Sequence, residues 1–385
     1  MFVHEQGSSD ISTCGTTTNP CNSLKKGISK VKESGTVLIQ GDQQLNATIR
    51  INKSVTIRGI SGKRIKLMPR NGSKFAYAFE ISNSINVSFV SLSVERVGLL
   101  FGAYAGKRCR VALYLTDSHI VNTTYPGYRY PIKFSRTYGV EVSVFLVNSV
   151  FRNTGQISTK NYWYLVVMKH LHIVNTTFEQ SAGIAVYGVS TEVKIVGSNF
   201  IATSLLFSGI RREIAMVAIK NTSLVNTQLR VQNIHGAMIS RCNVTGARGV
   251  SPLVIGGSRE VWIKEVMCER NEVDGDGGCM RFTREWVTQR SINILHSTFR
   301  YNRATKNGGA ISAQYSHMNI TNCVFVGNKA RTGGALHLSL LGDWDSPLDG
   351  IITSSRFERN RALSKGGAIY TREGKSKSKS VSLTQ

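Results

Sequence analysis

Acidic residues are scarce in this chain. Its 23 Asp and Glu stand against 48 Lys and Arg, a formal net charge of +25 at pH 7. No apolar run reaches the roughly 18 residues that a membrane-spanning helix needs. The opening Met1-Phe-Val-His-Glu-Gln-Gly7 has no basic region and no apolar core, so it is not a signal peptide. No GxSxG, Walker loop or CxxC occurs, so none of these motifs points to catalysis, nucleotide binding or redox chemistry. Proline is rare (6 of 385 residues), whereas glycine is plentiful at 36, a balance that suits a turn-rich β protein.

What the chain does have is a repeat. Cys268-Glu-Arg-Asn271 is followed by Gly277-Gly278-Cys279-Met280, and Phe299-Arg-Tyr-Asn302 by Gly308-Gly309-Ala310-Ile311. Phe325-Val-Gly-Asn328 leads to Gly333-Gly334-Ala335-Leu336, and Phe357-Glu-Arg-Asn360 to Gly366-Gly367-Ala368-Ile369. The Asn anchors lie 31, 26 and 32 residues apart. A unit of this length cannot bury its apolar face alone and must stack on its neighbours. Short alternating runs such as Ala335-Leu336-His337-Leu338 flank each motif, and none leaves room for an amphipathic helix. The repeat therefore predicts one coil of a parallel β-helix. Phe points inward and stacks on the next Phe. Asn bonds its equivalents above and below, and the paired glycines permit positive φ or close backbone approach.

F-x-x-N paired with G-G-A-[IL] resembles the repeat of the polymorphic outer membrane protein (Pmp) family, right-handed parallel β-helix proteins first described as chlamydial autotransporter adhesins. The resemblance covers residues 262–371 and implies an extracellular, adhesive, non-enzymatic role. An autotransporter also needs a C-terminal membrane barrel, whereas this chain stops 14 residues after Thr371. That departure, with no signal at the start, leads us to expect a fragment of a longer protein. A second resemblance, to the N-terminal region of pectin-lyase-like β-helix proteins, rests on Cys14, Pro20-Cys21, Ser23-Leu24, Ile28 and Gly35-Thr-Val-Leu-Ile39.

The expected fold is all-β: a single right-handed parallel β-helix of about twelve coils with a short N-terminal capping helix. Residues 1–35 read as an N-terminal extension and cap. Asn22 or Ser23 caps the helix, Leu24, Ile28 and Val31 form its apolar stripe, and Gly35 stops it. The first strand is expected at Thr36–Ile39. Residues 36–372 read as the β-helix, with weaker coils over 50–260 at strands such as His119–Val121 and Asn243–Thr245. Loops are expected at 125–131 and 341–347. Residues 373–385 read as a disordered basic tail. Of seven cysteines, Cys14 and Cys21 are the pair expected to bridge. Cys268 and Cys279 share a coil as thiols or as a bridge, and Cys242 and Cys323 lie too far apart to pair. Nine Asn-x-Ser/Thr sequons, at Asn46, Asn52, Asn71, Asn86, Asn122, Asn175, Asn221, Asn243 and Asn319, lean toward a secreted glycoprotein, although Asn is also a turn residue of this fold.

No catalytic set emerges. The Asp clusters of polygalacturonases and pectate lyases are absent. Asp274-Gly-Asp276-Gly-Gly278 with Glu285 has part of an EF-hand spacing, but Cys279 stands where the loop needs Gly. His170 and His172 share a strand face without an evident third metal ligand. We expect no cofactor and no metal. The charge is spread, as at Arg300/Arg303 and Arg359/Arg361, and stacking aligns such positions into stripes that attract anionic or sulfated polysaccharide or a cell-surface glycoprotein. No motif supports nucleic acid as the target. The leading reading is adhesion or anionic-glycan binding outside the cell or on its surface. The alternatives are a pectin-lyase-like polysaccharide lyase or hydrolase, and a structural stalk of a larger receptor.

Overall fold

The computed structural model describes residues 1–8, 13–60, 64–71, 73, 75, 77–81, 84–101, 109–123, 131–134, 140–159, 166–210, 214–283, 291–314, 317–340, 350–373 and 381–384. The chain forms two compact units, Met1–Gly188 and Val189–Gln385. Each is a stack of parallel coils, a parallel β-helix. In the first unit the short strand found once per coil, from Gln43–Leu45 to Thr177–Glu179, marks six coils among the described residues. In the second, from Asn199–Ile201 to Arg356–Glu358, it marks seven.

One coil illustrates the construction. Strand His317–Thr321 buries Met318 and Ile320 and turns outward at His317, Asn319 and Thr321. Asn322 then adopts φ +53°, a left-handed conformation that Asn tolerates better than most residues. Strand Val324–Val326 follows, with only Phe325 buried. Gly327 makes a second left-handed turn at φ +63°, buried Asn328 follows, and Lys329–Thr332 and Leu336–Leu340 complete the circuit. Every strand pairs in parallel with its equivalent one coil away, as Phe325 does with Phe299 and Phe357.

The core is built from columns of like residues. Phe299, Phe325 and Phe357 stack with ring centroids 4.8 and 4.7 Å apart. In the first unit Phe151 and Phe178 stack at 4.5 Å. These distances match the roughly 4.8 Å rise between parallel strands, so one ring per coil fills the space without a gap.

The N-terminal region differs in part from expectation. Helix Leu24–Lys30 is present, capped by Ser23, whose hydroxyl accepts from the Lys26 amide at 3.3 Å, and it buries Leu24 and Ile28. It ends at Val31, before Gly35. Thr36–Ile39 is not the first strand. Phe2–Ser8 precedes it and pairs in parallel with Gly35–Gln40, so residues 1–35 cover a strand edge as well as the core end. The disordered-tail expectation also needs correction at its end. Residues 374–380 lie outside the described residues, but Val381–Thr384 is a strand paired with Gly350–Thr353. The expected loops at 125–131 and 341–347 also lie outside the described residues, apart from Pro131.

Candidate functional site

Two buried ladders hold the coils in register and so fix where surface charges fall. Asn271, Asn302 and Asn328 are buried, and Asn360 is half-buried. Asn271 Nδ2 donates to Asn302 Oδ1 (2.9 Å), Asn302 Nδ2 to Asn328 Oδ1 (3.1 Å) and Asn328 Nδ2 to Asn360 Oδ1 (3.0 Å). The same amides also donate to carbonyls of the preceding coil, as Asn328 does to Phe299 O at 3.0 Å. The glycine pairs divide the labour. Gly277, Gly308, Gly333 and Gly366 all have φ between +64° and +70°. Their partners Gly278, Gly309 and Gly334 have ordinary φ but admit no side chain. A Cβ on Gly309 would stand 2.1 Å from the Gly334 carbonyl oxygen. Gly367 meets no such obstacle.

Farther up the chain the Asn ladder is replaced by hydroxyls. Thr154, Ser181, Thr203 and Thr227 stand three residues after Phe151, Phe178, Phe200 and Leu224. Thr227 Oγ1 donates to Phe200 O at 3.0 Å and Ser181 Oγ to Phe151 O at 3.2 Å, the same carbonyl that Asn serves later. A second hydroxyl ladder lines the other turn. Ser149, Thr176, Thr222 and Ser297 each donate to the carbonyl two residues back at 2.8–2.9 Å. Cys242 and Cys323 occupy this ladder, their thiols directed to Ser240 O and Thr321 O. Burial pushes both thiols up to about 11, opposed only weakly by backbone hydrogen bonds. They are structural stand-ins for serine. Cys14 is bridged to Cys21 and Cys268 to Cys279.

The ladders bring a basic surface together in the second unit. On the short third-turn strands Arg248 pairs with Glu272, Glu272 with Arg303, Arg303 with Lys329 and Lys329 with Arg361. All five side chains are exposed. Glu272 is bonded to Arg303 at 3.2 Å, which leaves a run of cations one coil apart. Over residues 297–367 the described residues include nine exposed cations: Arg300, Arg303, Lys306, Lys329, Arg331, Arg356, Arg359, Arg361 and Lys365. The sole described carboxylate there is Glu358, bonded to Arg356. The coil before this run is acidic, but its carboxylates are engaged. Asp274 accepts from Thr305 at 3.0 Å and Asp276 from Asn307 at 2.9 Å, so the EF-hand-like spacing serves coil pairing.

The remaining candidates are scattered. Seven sequon asparagines are exposed, while Asn243 and Asn319 are half-buried. Asn122, Asn175 and Asn221 sit at left-handed turn positions (φ +55°, +47° and +51°), each followed by a buried ladder threonine. The left-handed turn accounts for the Asn of these three sequons, while the ladder threonine is the middle residue and not the hydroxyl residue the motif requires. Asn319 Nδ2 donates to Asn293 Oδ1 at 3.0 Å, so this amide already serves coil pairing. In the first unit His170 and His172 project from one strand with ring centroids 5.8 Å apart, two imidazoles that could ligate a metal. His172 also meets Phe145 edge-on at 5.1 Å, extending the outward stack of Tyr114 on Phe145 at 4.7 Å. One face-to-face pair closed by edge-on histidines is a favourable aromatic arrangement, so this column reads as a stabilising stack. Burial lowers the pKa of His119, with Arg64 and Arg152 adding to it, and burial likewise lowers that of His337 against the opposing pull of Asp276. No helix among the described residues is long and apolar enough to cross a membrane.

Residues 296–314 and 354–372 match the Chlamydia polymorphic membrane protein repeat, which coincides with the basic coils. No curated protein matches the chain. Two solved structures resemble it, both of GH136 lacto-N-biosidase from Eubacterium ramulus. The selenomethionine derivative aligns with 99% of this chain and 67% of its own at 11% identity and a TM-score of 0.35. The native protein aligns with 96% and 67% at 11% identity and a TM-score of 0.24. Similarity this low carries no argument about chemistry.

Proposed function

We propose that this chain is an extracellular or cell-surface β-helix that holds anionic polysaccharide, or the anionic glycans of a cell-surface glycoprotein, and does so without catalysis. The observation that carries this reading is the register of Arg303, Lys329 and Arg361, exposed on successive coils. Coils rise by about 4.8 Å, so the cations form a row that a linear polyanion can follow. An exposed ion pair at about 4 Å is worth roughly 1 kcal/mol in water, so one contact binds nothing while a row of them does. The Pmp repeat in these coils supports a surface location, since the proteins it is named for are membrane proteins.

The test is a glycan array at low and physiological salt with de-sulfated controls, followed by incubation and product analysis. Binding to sulfated or uronate glycans that weakens with salt, without products, is the expected result. Unsaturated or shortened products would replace the reading with a polysaccharide lyase or hydrolase. Absence of binding at both salt concentrations would leave a structural stalk.

A further inference from the structure

A cleft of about 670 Å³ opens at the N-terminal end of the first unit. It exists because the cap is incomplete. Phe2–Ser8 covers the edge of Gly35–Gln40, and helix Leu24–Lys30 covers the core. Among the described residues, strand Gln43–Leu45 pairs only with Ile65–Pro69, and Ile49–Ile51 only with Tyr77–Ile81. The corner between them, Asn46-Ala47-Thr48, therefore has no coil on its outer side, and the cleft lies there.

Its polar wall comes from Asn22, Lys25, Gln44, Asn46, Thr48 and Arg70. Of the apolar side chains that also border it, Leu24, Leu45 and Ile49 are buried, and Ala47 is exposed but small. No acidic residue lines the cleft. Lys25 and Arg70 are exposed, and neither forms an ion pair with a described residue. Side-chain amides supply donors and acceptors together, which suits the hydroxyls of a sugar ring. Two cations without a counter-ion suit one carboxylate, and a guanidinium can take it through two parallel hydrogen bonds. The wall is too polar for a typical apolar ligand.

We infer that this cleft is a subsite for a carboxylate-bearing sugar, a uronic acid unit within an oligosaccharide. The inference rests on the anionic-glycan reading but on other residues than the basic row. Asn46 is a sequon, so an attached glycan would fill the cleft, and the test uses full-length protein from a host that does not glycosylate.

The probe is a tetrasaccharide of galacturonic acid, titrated by calorimetry beside its methyl ester, which lacks the charge. The protein carrying Lys25→Gln and Arg70→Gln should bind the acid at least roughly tenfold more weakly than wild type, with unchanged thermal unfolding because both side chains are exposed. The protein carrying Arg303→Glu, Lys329→Glu and Arg361→Glu loses the share of binding that the basic row contributes but should keep one tetrasaccharide site per chain, which adding Lys25→Gln and Arg70→Gln removes. No binding by wild type, equal binding of the ester, unchanged binding by the Lys25/Arg70 variant, or complete loss of the site in the triple variant would each overturn the subsite. Long sulfated polysaccharide, measured in parallel, reports on the basic row alone, so either site can fail without the other.

Discussion

Replacing Asn328 tests how the coils are held together. Its side chain is fully buried and takes part in four hydrogen bonds. Nδ2 donates to Phe299 O and Asn360 Oδ1, each at 3.0 Å. Oδ1 accepts from the Asn302 amide at 3.0 Å and from Asn302 Nδ2 at 3.1 Å. Two of the four partners keep another bond when Asn328 is lost, since Asn302 Nδ2 still reaches Cys268 O and Asn360 Oδ1 still accepts from the residue 328 amide. The Phe299 carbonyl lies in the ladder between Thr298–Arg300 and Val324–Val326 and keeps its strand pairing, so the Asn302 N–H is the group left stranded. Stranding a buried polar group costs about 1–3 kcal/mol, so Asn328→Ala should destabilise by about 2–5 kcal/mol once lost packing is included. Asn328→Thr is the informative comparison. Thr227 at the equivalent position donates to Phe200 O at 3.0 Å and accepts weakly from the Thr203 amide at 3.4 Å. Threonine should therefore recover about half of the loss. Urea unfolding followed by circular dichroism gives both values. An alanine variant within about 0.5 kcal/mol of wild type, or a threonine variant less stable than alanine, would refute the ladder account.

Other perturbations probe other parts of the structure. Gly309→Ala forces two coil backbones apart and should cost more than about 4 kcal/mol, whereas Gly249→Ala, with open space around its Cβ, should cost about 1–2 kcal/mol for its left-handed φ of +79°; equal midpoints would remove the close-approach argument. Phe325→Ala takes the middle ring from a three-ring stack and should cost about 3–5 kcal/mol by the same unfolding assay. Native Cys242 and Cys323 should resist alkylation at pH 8 and react only on unfolding, which mass spectrometry can read site by site. Their folded pKa values lie above the unfolded one, so the stability they add is present below about pH 9 and is lost as pH rises toward 11. Replacing both with serine, the residue their ladder otherwise uses, should flatten that alkaline loss.

Much of the coil was legible because four motifs repeat the same physical solution. Phe, Asn and two glycines recur where ring stacking, an amide ladder, a left-handed turn and a backbone contact are each needed. The coils before residue 260 were harder to read. There Thr154, Ser181, Thr203 and Thr227 do the work of Asn, and the signal was [FL]-x-x-[TS] rather than F-x-x-N. The thiols at Cys242 and Cys323 hid a serine ladder in the same way. Phe2–Ser8 and Val381–Thr384 escaped notice because each borrows its stability from a neighbouring coil and shows little pattern of its own. The basic row was legible in outline: Arg303, Lys329 and Arg361 each follow an anchor Asn, 26 and 32 residues apart, and strand pairing places them on successive coils. The N-terminal cleft depends on which strand edges stay unpaired, which periodicity does not encode.

The central claim is that aligned cations on successive coils hold a polyanion. The direct measurement is the affinity of heparin for wild type and for the Arg303→Glu, Lys329→Glu, Arg361→Glu protein across a salt series. The account predicts wild-type binding that falls steeply with salt, and a variant that folds normally but binds at least roughly a hundredfold more weakly with a shallower salt dependence. A folded variant with wild-type affinity and salt dependence would contradict it.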